Sequence, residues 1–410
     1  MAEELKTPFY YVKKRLFRNK PAVFGLIIII IAHIIAALGY LIMPDSTPNA
    51  NDGDVQIQKK PMFYSVMILK IRKNQEIEKV PFFKRIYYGQ ESEYTIVPIK
   101  DDFQIKNDSI FFKPESSRGN KMLGESLIKC TRPMFIGASE KLGTAANYIS
   151  TEDSIAYLDP EENIVWVSKK DLEKEFLANN LERRTYWLGT DKSGRDVLSR
   201  LLFGTRISLS IGFISVIISL IIGVTFGALA GFFGGKIDAL IQWIMTIVWS
   251  IPSIMLVISI SLALQSKGIW VVFLSVGLTM WVDIARVVRG EIMSIKQKLF
   301  IESAHALGFS DARIIFFHIL PNLVGTMIVY STSNFATAIL IEAGLSFLGL
   351  GVQPPTPSWG MMINEGFDSL GTKDSTHLIV FPSLAISLLV LSFNLFGNGL
   401  RDAYDPKSLK

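Results

Sequence analysis

The sequence predicts an all-α membrane protein with six transmembrane helices and a small α+β insert between the first and second of them. Of its 410 residues, 49% are hydrophobic. Apolar runs such as AVFGLIIIIIAHIIAALGYLIM exceed the roughly 20 residues needed to cross a bilayer core. Residues 44–184, in contrast, are polar and contain no run long enough to span. This distribution excludes an ordinary soluble enzyme.

Charge and cysteine content exclude two further classes. The formal net charge is +5, but the basic residues lie beside the apolar runs, as the positive-inside rule expects of cytoplasmic loops. We therefore expect no nucleic-acid partner. The single cysteine, Cys130, excludes an intrachain disulfide and a cysteine-built metal site.

The first span follows a basic N-terminal segment. Residues 1–21 carry six Lys or Arg against two Glu, which predicts a cytoplasmic N-terminus. The run from Ala22 to Met43 then crosses outward. A cleaved signal peptide is the alternative, although its apolar core is typically only about 7–15 residues.

The insert at 44–184 is predicted to be a small extracytoplasmic α+β domain, with a loosely ordered loop as the alternative. Two predicted strands, SIAYL and IVWV, flank the turn Asp159–Asn163. Ser168 is placed to begin a helix through DLEKEFLANNL.

Five further spans are predicted near 207–233, 239–264, 269–288, 322–349 and 377–397. Pro252 and Pro382 fall inside two of them and predict kinks. The basic loop from Arg286 to Arg313 is then cytoplasmic. The predicted domains are 1–43 (N-terminus and first span), 44–184 (insert), 185–206 (a polar approach to the second span), 207–397 (five spans) and 398–410 (cytoplasmic tail).

The loop at 289–321 predicts two helices that meet at an elbow. Gly308 suits the left-handed residue that closes a helix, and Ser310 suits the N-cap of the next. Pro321 predicts another break. The small residues Ser303, Ala304 and Ala306 are expected to let a second protein approach closely.

This loop resembles the EAA loop of ABC importer permeases. The resemblance rests on Glu302 and Ala304, Gly308 six residues after the glutamate, and Leu320-Pro321. It implies the type I ABC importer permease fold, with a coupling helix that docks on an ATPase subunit. Two positions depart from the family pattern: Ser303 replaces the usual Ala, and His318 replaces an Ile found in many members, as in the peptide-permease branch.

Two more segments resemble the dipeptide/oligopeptide/nickel permeases and point to the C-type subunit. One follows the fifth span: Leu340 to Gly351, then Pro354-Pro355 and Ser358-Trp359-Gly360. The resemblance is weak at 21–43, strong at about 185–406 and absent from 44–184. The other segment precedes the second span and contains Gly189, Thr190, Asp191, Gly194, Arg195 and Asp196. From residue chemistry alone, its charged groups are expected to satisfy one another at the membrane surface; substrate contact is the alternative.

The resemblance implies a transport subunit rather than an enzyme. Its expected partners are a second homologous permease, two ABC ATPases that bind ATP and Mg, an extracytoplasmic substrate-binding protein, a short-peptide substrate and the lipid bilayer. No cofactor is expected in this chain, which would lie in the bacterial inner membrane with both termini cytoplasmic. The insert would act as a lid or docking surface for the binding protein.

Three other functions stay open at this point. Nickel or a metal complex is the alternative substrate, because the same motifs occur in that branch. A membrane-anchored sensor or enzyme would use the insert instead. A proton-driven carrier would require inverted repeats and intramembrane relays, which the sequence does not show clearly.

Ionisable residues within the spans are candidates for the transport pathway. Glu342 is the first choice, whereas Asp283 is expected to pair with Arg286 or Arg289. Gly235-Lys236 is no phosphate loop, because Ala230 and Ile237 replace the required Gly and Ser/Thr. The four scattered histidines, His33, His305, His318 and His377, predict no metal site.

Overall fold

The computed structural model describes residues 8–75, 77–117, 122–144, 146–266, 268–371 and 375–404. These residues form two compact units. The membrane unit comprises the described residues within 1–37, 204–364 and 380–410. The insert unit comprises Leu38–Phe203 and Glu365–Ile379.

Two helices open the chain. Helix α1 (Pro8–Arg18) was not predicted, and α2 (Lys20–Leu38) is the first apolar span, which continues as a helical turn to Leu41. Asn19 separates them: its side-chain oxygen accepts a hydrogen bond of 3.2 Å from the backbone N–H of Ala22 and so caps α2. The apolar side of α1 packs through Leu16 against the C-terminal helix in one buried cluster.

The described part of the insert unit forms three antiparallel sheets of three strands each, which confirms the α+β prediction. The strand orders are β2-β1-β9, β3-β4-β5 and β6-β7-β8. In chain order the elements are β1 (Tyr64–Arg72), α3 (Phe82–Tyr88), β2 (Tyr94–Ile99), β3 (Gln104–Lys106), β4 (Ser109–Phe112), β5 (Leu123–Ser126), α4 (Leu127–Thr131), β6 (Tyr148–Ser150), β7 (Ser154–Leu158), β8 (Ile164–Ser168), α5 (Lys169–Asn179) and β9 (Leu181–Tyr186).

Local patterns explain much of this unit. The predicted hairpin is present as β7 and β8, with Leu158 opposite Ile164. Ser168 is the N-cap residue of α5, as expected, but its hydroxyl makes no capping hydrogen bond. Alternating apolar residues from the sheets meet the apolar sides of α4 and α5 in one core, which includes Leu69, Ile155 and Phe176.

The rest of the chain is helical. The elements are α6 (Val197–Phe233), α7 (Gly235–Ser250), α8 (Ser253–Ala263), α9 (Ile269–Lys296), α10 (Leu299–Ala306), α11 (Asp311–Arg313), a π-helical turn (Ile314–Ile319), α12 (Leu320–Phe347), α13 (Trp359–Phe367) and α14 (His377–Tyr404). Within the described residues, five helices are long and apolar enough to span a membrane, and the pair α7 and α8 brings the number to six.

The predicted third span at 239–264 is present as two helices, α7 and α8, with the predicted kink at Pro252 sharp enough to separate them. Helices α7 and α8 meet at 95° across Ile251-Pro252. Ile251 is extended, with a ψ of 128°, as expected for a residue that precedes proline. Pro252 also has a non-helical ψ, of 129°. Pro382 lies inside the unbroken α14.

Other predicted boundaries are too narrow. Helix α6 begins at Val197 and α9 continues to Lys296, because polar residues at helical spacing extend each helix beyond its apolar run. The insert unit is also wider than 44–184 and includes 185–203 and 365–379. Of the predicted tail, 398–404 belongs to α14, and 405–410 lies outside the described residues.

Helices α6 and α9 approach closely along a glycine stripe. A Cβ atom at Gly223, Gly227 or Gly231 would lie 2.6 to 2.8 Å from atoms of α9. Such spacing of small residues allows close backbone packing of membrane helices. Residues of both helices also form the core against which the segment 298–321 packs.

Candidate functional site

The predicted elbow is present in the membrane unit at Lys298–Pro321. Helix α10 ends in a complete Schellman motif: the N–H of Phe309 donates to the carbonyl of Ala304 at 3.2 Å, and the N–H of Gly308 donates to that of His305 at 2.9 Å. These bonds satisfy two of the last carbonyls of α10 and define the direction in which the chain leaves it.

Gly308 closes the helix with a φ of +78°. No heavy atom lies within 4 Å of the position that a Cβ would take. The requirement for glycine is therefore conformational rather than steric contact with a neighbour.

The second helix of the elbow begins as predicted at Ser310. Its hydroxyl accepts a hydrogen bond of 3.4 Å from the N–H of Arg313, and Asp311 occupies the first turn, where a carboxylate is favourable. The predicted break at Pro321 is wrong. The chain instead passes through the π-helical turn and continues into α12, with Pro321 in its first turn, where a missing N–H costs little.

The elbow has one buried and one exposed side. Ile301, Ala304, Ile314 and Ile319 are buried against α6 and α9. Ala304 therefore anchors the elbow to its own subunit, which corrects the expectation that it lies on an accessible surface. Glu302, Ser303 and Ala306 are exposed. So are four large apolar side chains, Leu299, Leu307, Phe316 and Phe317, with exposed fractions of 79%, 72%, 64% and 74%.

An open groove of about 780 Å³ lies beside this exposed side. The ring of His318 stacks on that of Phe309, with centroids 5.6 Å apart and planes 11° from parallel. The guanidinium of Arg313 lies 4.3 Å from the centroid of the same ring. The groove is lined by Phe309, Ala312, Arg313, Phe316, Phe317 and His318.

Sequence reasoning singled out His318 but missed the aromatic residues around it. The adjacent Phe316-Phe317 pair, in a loop predicted to be cytoplasmic, was a usable signal of an exposed aromatic surface. An exposed apolar ridge beside an aromatic groove, with one cation, is suited to bind another protein.

Ion pairs stabilise the helices that carry the elbow, although not as predicted. Arg289 forms a bidentate pair with Asp238 of α7, both distances being 2.6 Å. Arg286 lies 4.1 Å from the ring centroid of Trp249. Asp283 forms no ion pair within the part of the chain that the structure describes, so the predicted pairing with either arginine is wrong.

The glycine- and aspartate-rich segment before α6 forms a second site, inside the insert unit. Asp191 accepts hydrogen bonds from the N–H groups of Ser193 and Arg195 at 2.8 and 3.0 Å, and from Arg195 Nε at 2.7 Å. Both Arg195 and Arg200 also contact Glu365, at 3.2 and 3.3 Å. Asp191 and Arg195 thus pair with each other, whereas Asp196, which was expected to join them, accepts hydrogen bonds from Ser199 instead. The side chains of Asp191, Arg195, Arg200 and Glu365 are all buried.

The other residues of this segment pack against the backbone near the start of the insert. A Cβ at Gly194 would lie 1.9 Å from the carbonyl oxygen of Asp54, and one at Gly189 2.3 Å from that of Lys60. Thr190 accepts from the N–H of Lys60 at 2.9 Å. Asp196 accepts from the N–H of Ser199 at 2.8 Å, and burial raises the pKa of its carboxyl while these hydrogen bonds oppose that shift. The segment thus joins the start of the insert to the start of α6.

Glu342, which lies within α12, is 1% exposed. Ser346 Oγ donates to its Oε1 at 2.7 Å, and the hydroxyl of Ser358 lies 3.4 Å from that Oγ. Val352 N–H donates to the same Oγ at 3.2 Å. These contacts fold the segment after α12 back on the helix; a role in the transport pathway stays a prediction.

Two protein families match parts of this chain. A family described as binding-protein-dependent transport system inner membrane component matches residues 223–410. The N-terminal TM domain of oligopeptide transport permease C matches residues 7–61.

Relatives of known assignment include two glutathione transport system permease proteins GsiD. The protein of Pectobacterium atrosepticum is 45% identical over 222 residues, which cover 54% of this chain and 73% of that protein. That of Escherichia coli is 44% identical over 245 residues, covering 59% and 80%. Among solved structures, an inward-facing MetNI methionine ABC transporter matches with a TM-score of 0.42 at 19% identity, covering 50% of this chain and 96% of that chain.

These matches extend over the apolar helices and the elbow. The chain is a multi-pass inner-membrane protein, and it belongs to the family of binding-protein-dependent transport system inner membrane components, the ABC importer permeases, in the peptide/oligopeptide branch.

Proposed function

We propose that this permease subunit translocates short peptides across the cytoplasmic membrane and is coupled through the elbow to a separate ATPase. The elbow carries the proposal, because one side is buried in the permease while the other exposes an apolar ridge and groove. The relatives are named for transport of glutathione, itself a tripeptide, which supports a peptide of this size as substrate.

The proposed partners are those of ABC importer permeases, and the elbow would contact the ATPase. Phe316, Phe317 and Leu307 would enter a cleft on the ATPase, with Arg313 contributing charge. Each ATPase would bind ATP and Mg, and this chain would need no cofactor of its own. A second homologous permease would complete the transport path, and an extracytoplasmic binding protein would deliver the substrate.

Coupling would be mechanical. Ile301 and Ala304 connect the elbow to α9 and α6 through a continuous core, and close-packed interiors transmit displacement rather than absorb it. Closure of the ATPase pair would therefore move α6 and α9 and switch the cavity between inward-facing and outward-facing states. We expect both chain termini and the elbow to lie in the cytoplasm and the insert to lie outside.

The test is ATP-dependent uptake of labelled di- to hexapeptides into proteoliposomes that contain the chain with its co-purified partners. We expect peptide uptake that requires ATP and is lost in Gly308→Val but retained in Gly308→Asn, since asparagine tolerates a left-handed backbone. Nickel uptake without peptide uptake would move the chain to the metal-transporting branch. Absence of any co-purified ATPase would contradict coupling through the elbow.

A further inference from the structure

Helix α3 of the insert unit exposes four aromatic side chains within seven residues. Its sequence is FFKRIYY. Phe82, Phe83, Tyr87 and Tyr88 are exposed by 60%, 84%, 66% and 67%, and none of the seven residues is buried. An exposed cluster of this kind marks a surface that another phase or molecule covers.

The position of α3 indicates what could cover its exposed aromatic side chains. The helix lies against the turn that ends the first apolar span: a Cβ at Gly89 would lie 2.9 Å from the ring of Tyr40 and 2.8 Å from the carbonyl oxygen of Ser46. The N–H of Gln90 donates to the same carbonyl at 3.0 Å. Since the apolar helix ends at Leu41, α3 lies beside the end of the first candidate span.

The helix is also firmly positioned within its unit. Pro81 precedes its first turn, and the N–H of Arg85 donates to the Pro81 carbonyl at 2.9 Å. Gly89 ends the helix with a φ of +77°, and its N–H donates to Arg85 at 3.0 Å. Pro81 and Gly89 therefore fix the two ends of α3, and no apolar side of the helix needs to be buried to hold it there.

The charges on α3 complement a lipid surface. Lys84 and Arg85 lie between the two aromatic pairs, and Lys79 lies just before the helix. All three are exposed, and none forms an ion pair with a residue of the described ranges. Aromatic rings with interspersed Lys or Arg are typical of helices at the bilayer interface, where cations meet anionic headgroups.

We propose that α3 is an interfacial anchor that lays its aromatic side chains among the lipid headgroups beside the end of the first span. The insert is thereby held at the bilayer surface rather than extending freely from it. This role is independent of the transported substrate and of coupling to the ATPase.

The test uses the full chain in nanodiscs with an environment-sensitive fluorophore at Phe83→Cys. The matched control carries the label at Ile136→Cys, an insert position that is 72% exposed and lies outside α3. Buried Cys130 is left in place, and its lack of labelling is verified on the unsubstituted chain. Lipids carrying a nitroxide near the headgroup should quench the label at 83 and leave the label at 136 unquenched, while aqueous iodide should show the reverse order.

Charge and alternative partners are tested in the same nanodiscs. Each of Lys84→Gln and Arg85→Gln should lower the ratio of lipid-quenched to unquenched label by about fivefold when phosphatidylglycerol is present, since one cation near an anionic surface contributes about 1 kcal/mol. Equal iodide access at 83 and 136 would overturn the proposal. Shielding of position 83 only after a binding protein is added would also overturn it, in favour of protein docking.

Discussion

Arg200 Nε lies 3.2 Å from Asp191 Oδ2, with both side chains buried at the first turn of α6. Arg195 and Glu365 complete a four-membered network around them. Charges buried in this way are stable only together, because each loses its hydration and must be compensated by the opposite charges around it.

We expect Asp191→Ala to lower the free energy of unfolding by about 3–5 kcal/mol, because it leaves two buried guanidinium groups short of a counter-charge. Thermal unfolding in detergent, followed by size-exclusion chromatography, measures the effect. The matched control is Asp101→Ala, whose partner Arg183 lies in an exposed pair. It should change stability by about 1 kcal/mol or less, and equal effects of both variants would contradict the network.

Gly308→Val should weaken coupling more than it weakens folding. Its left-handed backbone costs a non-glycine residue about 1–2 kcal/mol, and more for a β-branched one, and the strain falls on the turn between α10 and α11. ATPase stimulation by loaded binding protein is the measurement. Gly308→Asn provides the control and should retain most of the stimulation, whereas loss in both variants would show that the space beside Gly308, rather than its backbone, is required.

The exposed side of the elbow should contribute to docking without contributing to stability. Leu307→Ser and Phe317→Ser are expected to reduce co-purification of the ATPase while the unfolding temperature stays close to that of the original chain, because surface substitutions usually change stability by about 0.5 kcal/mol or less. Ile136→Ser, equally exposed but in the insert, should leave co-purification intact. In contrast, Ile314→Ala removes a buried anchor and should cost about 2–5 kcal/mol.

Cys130 should be inert in the folded chain. Burial raises the pKa of its thiol to about 12 from 9.0, so almost none is thiolate at pH 8. The unfolded chain ionises first as the pH rises through 9.0, so the thiol's contribution to stability is present below pH 9 and is lost towards pH 12. Maleimide labelling at pH 8 should require denaturant, whereas rapid labelling without it would show that the insert core is open. Ile136→Cys supplies the rapidly labelled reference.

The sequence predicts those features that depend on local pattern. Long apolar runs indicated the spans, and the pair Gly308 and Ser310 indicated the two ends of the elbow, because helix stops and caps depend on the chemistry of one or two residues. The β7–β8 hairpin was visible for the same reason.

The missed features depend on contacts between distant segments. Arg195 meets Glu365 across 170 residues, and no spacing rule predicts that pair. Ala304 looked accessible because it is small, yet its burial depends on where α6 and α9 lie. Pro321 is compatible with either a break or a first helical turn, and only the preceding π-helical turn decides between them.

The pairing of β1 with β9 has an evolutionary consequence. Tyr64 lies opposite Tyr186 in this pair, so the chain enters and leaves most of the insert at neighbouring points. A domain with adjacent ends can be gained, lost or exchanged as one cassette without displacing the helices on either side. Transplanting 64–186 into the corresponding loop of a shorter permease is therefore a practical route to a chimeric importer.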